Sequence, residues 1–177
     1  MPPEGPGLSL TEWVVLALIA EAPTHGFAVA RTLSRNTELG QVWTVPRPLV
    51  YRAIGRLQEQ RLIAEVGEEP GDPGPRRMVY SATEKGKSAV VAWRSEPVRH
   101  LRDVRTVFLA KVLLRQRAGE PLAPLVTLQQ EEFAPLLARL EEQFRQGESE
   151  AVVGSWRYES SQAIARLLDH IKELDRR

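Results

Sequence analysis

Arg47, Tyr51, Arg52 and Arg56 fall within a single short stretch, and one helical repeat separates Arg52 from Arg56. On a helical wheel Val50, Ile54 and Leu57 form one apolar stripe at the i, i+4, i+7 spacing. Tyr51, Arg52, Gly55, Arg56 and Glu59 occupy the opposite arc. Such a helix hides one side and shows guanidinium donors on the other. The planar fork of arginine matches O6 and N7 of guanine, or two oxygens of a phosphate, so the chemistry on offer is recognition of duplex nucleic acid. Tyr51 can donate its hydroxyl to a phosphate, and Gly55 lets the helix come close to the backbone. Arg47 lies at the helix start, where free N–H groups favour an anion. From Thr24 to Arg61 six arginines stand against Glu38 and Glu59 alone. A plain solvated amphipathic helix would show the same pattern; the strand pair that follows, with Arg76-Arg77 on its return, shifts the reading towards DNA.

Other chemistries find no residues. There is no cysteine, hence no disulfide, thiolate zinc site or cysteine nucleophile. His25, His100 and His170 are far apart and have no carboxylate at metal-ligand spacing. Neither a glycine-rich phosphate loop nor a G-x-S-x-G turn occurs. Glu131-Glu132 and Glu141-Glu142 read as solvated charge on helix faces. An enzyme, a metal site and a cofactor are therefore not expected. The opening residues lack the basic start and apolar stretch of a signal peptide. The apolar run Trp13–Ala20 is too short for a bilayer, which needs about 20 such residues. A soluble, cytoplasmic protein is the expectation. The net charge of +1 is uninformative, but its distribution is not. Residues 118–177 carry eleven acidic and seven basic side chains, which leaves residues 1–117 at a net +5. An acidic polymer would bind that basic part.

The elements that must position these residues follow from breakers and periodicity. Residues 1–7, rich in Pro and Gly, read as a disordered tail. Ser9-Leu10-Thr11-Glu12 has capping-box spacing and opens a helix to about Glu21 that is apolar on nearly every side. A helix without a polar face is buried between layers, so something beyond its own small domain is expected to cover it. Thr24 is expected to cap a second helix with Phe27, Ala30 and Leu33 on one face. Asn36 to Val45 reads as a loop turning at Gly40. Val45-Pro46-Arg47-Pro48 punctuates the chain and starts a third helix at Pro48, running to about Gln60. Strands at Leu62–Val66 and Arg77–Ser81 flank a loop over 67–75. The loop tip carries Glu68, Glu69 and Asp72, which phosphates repel, so only the base of the wing is expected to touch DNA. Thr83-Glu84-Lys85-Gly86 opens a fourth helix. The order is that of a winged helix-turn-helix over 8–96, followed by a helical domain over 97–177. That second domain is read as Leu101 to about Arg117, Leu122 to Gln146 with a kink or split at Pro135, and Ser149 to Leu174. The fold class is mainly α with a small two-stranded wing.

At this point the sequence resembles the PadR family of bacterial transcriptional regulators. The resemblance rests on Thr24-His25-Gly26-Phe27, on Leu49-Val50-Tyr51-Arg52-Ala53-Ile54-Gly55-Arg56-Leu57, on Arg61-Leu62-Ile63, and on Arg77 through Gly86. It implies a winged helix joined to a helical dimerisation domain, usually acting as a repressor, in the branch that includes regulators of phenolic-acid stress genes. It also implies that Tyr51 is the recognition-helix tyrosine that meets the DNA backbone. The chain departs from the family at Pro48-Leu49, where a Gly-Ser pair is usual, at Arg52, where proline is common, and at Phe27, often tyrosine. The DNA-binding residues expected are Thr24, His25, Arg47, Tyr51, Arg52, Arg56, Arg76, Arg77 and Lys85.

The last helix offers Val153, Trp156, Ser160, Ile164, Leu167, Ile171 and Leu174 at alternating steps of three and four. Such a seam is how helices pair. An intramolecular hairpin uses part of it, and a second copy is expected on the rest. Val153, Trp156, Ile164, Leu167, Ile171 and Leu174 are the dimerisation candidates, and a homodimer reads two operator half-sites. Trp13, Trp93, Phe108 and Trp156, with Tyr158 beside them, could line a pocket between the domains for a small aromatic or phenolic effector; core or interface packing is the plainer reading for each. The alternative from another class is a helical protein-interaction or drug-sequestering module that does not act through DNA.

Overall fold

The computed structural model describes residues 7–71, 74–146 and 152–175. Residues 1–6, Asp72 and Ser149, to which the predicted tail, wing tip and last-helix start refer, lie outside the described residues. The chain divides into two compact units, Met1–Arg94 and Ser95–Arg177. The fold is mainly helical with one small antiparallel sheet.

The first unit runs α1 (Leu10–Glu21), β1 (Thr24–His25), α2 (Gly26–Thr32), α3 (Glu38–Val42), α4 (Arg47–Glu59), β2 (Ile63–Gly71), β3 (Gly74–Ala82) and α5 (Glu84–Ser95). α1 opens on the predicted capping box: Glu12 N–H donates to Ser9 Oγ (3.4 Å) and Ser9 N–H donates back to the Glu12 carboxylate (2.6 Å). Val14 through Ile19 are all buried. The unit itself supplies neighbours around α1: α2, α4 and β3 pack along it. Trp93 of α5 stacks on Trp13 with centroids 5.2 Å apart, and Trp43 Nε1 donates to Thr11 Oγ1.

Three local expectations need correction. The cap of α2 is His25, whose Nδ1 accepts from Ala28 N–H at 3.1 Å; the helix starts at Gly26, which leaves Thr24 one residue too early, paired with Tyr80 in β1. The predicted loop 36–45 contains α3, capped by the Thr37 hydroxyl. Gly40 is part of that helix, and a Cβ there would run into the Ser34 carbonyl; close packing, not a turn, requires glycine. The wing is a long hairpin. β2 and β3 pair from Ile63↔Ala82 out to Gly71↔Gly74, where sequence placed a loop, and β1 adds a third strand in the order β1-β3-β2. The register slips at Glu65/Gly67 and Glu69/Gly71, so Val66 and Pro70 fall outside the ladder. A proline without an N–H is tolerated at such a bulge, so the breaker did not end the strand.

The junction from α4 to the wing passes through Arg61 at φ 57°, the left-handed region, stapled by the Thr83 hydroxyl on the Arg61 carbonyl (2.9 Å). A side chain in this conformation costs about 1 kcal/mol relative to glycine.

In the second unit a 3₁₀ turn (Leu101–Asp103) and a π turn (Val104–Phe108) lead into α6 (Leu109–Arg117), then α7 (Ala123–Arg145) and α8 (Val152–Leu174). Pro135 does not split α7. It is exposed, as is Glu131, so the carbonyl deprived of its donor faces water. Phe108 and Phe133 are fully buried among Val104, Leu125, Val126 and Leu168. Gln129, also fully buried, clamps the backbone of Val98 with both amide atoms: Val98 N–H to Oε1 (2.7 Å) and Nε2 to the Val98 carbonyl (2.8 Å). Asp175 accepts from the Leu122 and Ala123 N–H groups (2.9 and 2.7 Å), capping α7 from the far end of α8. These two donors hold its carboxyl below the usual carboxylate range. Among the described residues no helix is long and apolar enough to cross a membrane.

Lys111 is buried in α6 and donates to the Glu96 carbonyl (2.7 Å); burial draws its pKa down to about 8, against a smaller opposing pull from Glu96. The folded chain thus releases this proton before the unfolded chain does. Stability should therefore rise with pH from about 8 towards the ordinary lysine value, by at most ~3 kcal/mol. Urea midpoints across that window check it, and Lys111→Met should flatten the rise. Separately, Arg61→Gly should raise stability by up to about 1 kcal/mol, visible as a higher melting temperature.

Candidate nucleic-acid interface

α4 starts at Arg47, one residue before the predicted start, with Pro46 at the cap and Pro48 in the first turn. Val50, Ala53, Ile54 and Leu57 are buried, none above 3% exposed. Burial of that seam turns the other arc outward: Arg47, Tyr51, Arg52 and Arg56 are all exposed. The ring of Tyr51 lies over the start of α2, where a Cβ on Gly26 would stand 2.8 Å from its Cε1.

Around Tyr51 the fold gathers side chains from three elements. The guanidinium carbon of Arg47 sits 5.2 Å from the ring centroid of Phe27 and 5.6 Å from that of Tyr51. Arg77, from β3, lies 4.8 Å from Phe27, and the His25 ring is 6.3 Å away from it. Phe27, which the sequence placed on one face of the second helix with Ala30 and Leu33, is 38% exposed. It is the residue that sequence reasoning missed. A guanidinium over an aromatic face is attracted to it without spending its N–H donors on another side chain. Phe27 is thus a platform that fixes two arginines for an acceptor in front of them.

The remaining candidates are placed differently. Arg52 is exposed and lines, with Ser9, Thr11, Glu12, Leu49, Ala53 and Arg56, a cleft of about 230 Å³. Arg56 is ion-paired with buried Glu12, Nε to Oε1 at 3.0 Å. Arg76 pairs with Glu68 across the wing at 3.2 Å, so its charge is offset on its own hairpin. His25 Nε2 stands 3.9 Å from Glu69. Thr24 belongs to β1, and Lys85 donates to the Gln60 carbonyl (3.1 Å), which gives it a cap role at the end of α4.

Residues 15–92 match the model of the Transcriptional regulator PadR-like family. Over these residues the first unit is similar to that family. Solved structures similar to it include Bacillus subtilis PadR in complex with operator DNA, at 18% identity and a TM-score of 0.46, covering 91% of this chain and 97% of that one. A PadR family transcription regulator from hypervirulent Clostridium difficile gives 17% and 0.41, covering 62% and 99%. The protein smu.1604c from Streptococcus mutans gives 18% and 0.43, covering 90% and 96%. Likenesses at these scores add nothing to the family match. No curated protein matches the sequence. The PadR-like family is one of transcriptional regulators, not of enzymes.

Outside the PadR-like region the predicted effector and dimer residues have these surroundings. Trp13 and Trp93 stack on one another, and Phe108 is core of the second unit. Trp156 is 66% exposed on α8, and Tyr158 stacks on Phe144 (4.0 Å). Of the dimer stripe, Ile171 is buried in the core, and Ile164 and Leu167 pack against it, because α8 lies along α7. Val153, Trp156 and Leu174 remain exposed.

The Gly26–Tyr51 contact makes a direct check. Gly26→Ala should cost about 1–3 kcal/mol by overpacking, and clearly less in a Tyr51→Ala background. Equal costs from thermal melts in the two backgrounds would place the ring elsewhere.

Proposed function

We propose that this PadR-like chain is a homodimeric, operator-binding repressor that places α4 in the major groove. The observation that carries the reading is the outward set Arg47, Tyr51, Arg52 and Arg77, two of its arginines stacked on Phe27. In helix-turn-helix docking the first turns of the recognition helix meet base edges. That position belongs to Arg47, Tyr51 and Arg52, with Arg52 the base reader and Tyr51 a phosphate donor. Arg77 meets the adjacent phosphate from the base of the wing. Glu68, paired with Arg76, and Glu69, beside His25, keep the outer wing away from the duplex, since excess negative charge repels phosphate.

The exposed Val153, Trp156 and Leu174 support pairing of two copies through α8. Apolar surface of this size on one helix is covered in stable assemblies. A two-fold dimer would meet two half-sites roughly 34–36 Å apart. Repression is what the family resemblance supports. An aromatic effector forms no part of this reading, given the surroundings of Trp13, Trp93 and Phe108.

Selection of duplexes from a randomised pool, followed by salt titration, tests it. The selected duplex should carry an inverted repeat, and log K should fall linearly with log salt, by about 0.9 per phosphate contacted. Arg52→Ala should cost about 1–3 kcal/mol on the selected duplex and little on an unrelated one. A pool that shows no enrichment, with binding indifferent to salt, would remove DNA from the account.

A further inference from the structure

Glu12 is 3% exposed, a carboxylate buried beneath the recognition helix. Its Oε2 accepts from Ser9 N–H (2.6 Å) and Ser9 Oγ (2.8 Å), the ordinary work of a capping box. Its Oε1 is not needed for that. It forms an ion pair with Arg56, whose Nε lies 3.0 Å away, across from α1 to α4. A cap alone asks for neither burial nor a second partner.

Of the guanidinium nitrogens, Nε, the one nearest the stem, approaches Glu12, and the two terminal nitrogens lie beyond it. The side chain is still 55% exposed, so the outer edge of the guanidinium faces solvent. The carboxylate lies at the inner edge, so it offsets part of the charge without occupying the terminal nitrogens, which remain a fork for an acceptor. Arg56 also lies in the third turn of α4, beyond the first turns that meet base edges, where a recognition helix runs alongside the sugar-phosphate chain.

We propose that Glu12 is a positioning residue for DNA binding: it locks the Arg56 guanidinium so that its free edge meets a backbone phosphate. The proposal rests on the operator-binding reading above and assigns Arg56 affinity rather than sequence discrimination.

Glu12→Gln separates the two duties of the carboxylate, since glutamine still closes a capping box but offers no charge to Arg56. Full-length wild type, Glu12→Gln, Arg56→Ala and the double variant are titrated on the duplex selected above and on an unrelated duplex, over a range of salt. Arg56→Ala should weaken both duplexes equally and reduce the salt slope by about one. Glu12→Gln should weaken both by about three- to tenfold. Added to Arg56→Ala it should do nothing further, and melting temperatures should show the variants folded. Binding by Glu12→Gln that is unchanged or tighter, or effects of the two changes that add, would overturn the proposal. Wild type that binds neither duplex would instead remove the operator reading itself, and Glu12 with it. Should Glu12→Gln melt early, Arg56→Lys in the wild-type background keeps the test open. Lysine holds the charge but has no Nε fork to lock, so it must lose affinity on both duplexes, and full affinity overturns the proposal.

Discussion

Val50, Ile54 and Leu57 have nowhere to go but the interior, and almost everything in the first unit answers to that. Their burial against α1 fixes the rotation of α4 about its own axis. A turn of the helix by one residue, about 100°, would bring Arg52 and Arg56 into the places of Ala53 and Leu57 and strand Val50 in water. Neither half of that exchange is affordable, since an unpaired buried guanidinium is among the most costly groups a fold can hold. The outward direction of the arginines is therefore a by-product of apolar packing. The polar contacts that follow, Glu12 on Arg56 and Phe27 beneath Arg47 and Arg77, refine a direction already chosen.

The ends of α4 show the same division of labour. Pro46 and Pro48 set its beginning by fixing backbone angles where no intrahelical donor is required. Its other end uses side chains distant in sequence: Lys85 reaches the Gln60 carbonyl, and Thr83 reaches that of Arg61. The start of α5 thereby closes the end of α4, so helix and wing are held at one junction. A recognition helix fixed at both ends and along its back presents its front with little freedom, the condition under which directional contacts discriminate between ligands.

How far the sequence speaks depends on how local each cause is. The capping box at Ser9 and Glu12, the seam of α4 and the helices of both units were legible, because residues three or four apart write them. α3 was not: its five residues are too few for a period to register, and Gly40, which reads as a turn, is glycine because the Ser34 carbonyl stands against it. The length of the wing was hidden by Pro70, since nothing in the sequence says that a register slip will remove it from the ladder. The role of Phe27 could not be read because the two arginines over its ring stand 20 and 50 positions further on. The pairing of Arg56 with Glu12 and of Ile171 with the interior belong to the same class. Both are decided by which elements become neighbours.

The histidine at the head of α2 adds a detail of tautomerism. Its Nδ1 is an acceptor for Ala28 N–H, so in the neutral ring the hydrogen must sit on Nε2. That nitrogen, on the side of Phe27 and Glu69, then offers a donor without carrying a charge. Protonation would turn the acceptor into a second donor and set it against the peptide it now serves. An oxygen ligand arriving at this corner would meet an oriented N–H whose direction is dictated by the helix behind it.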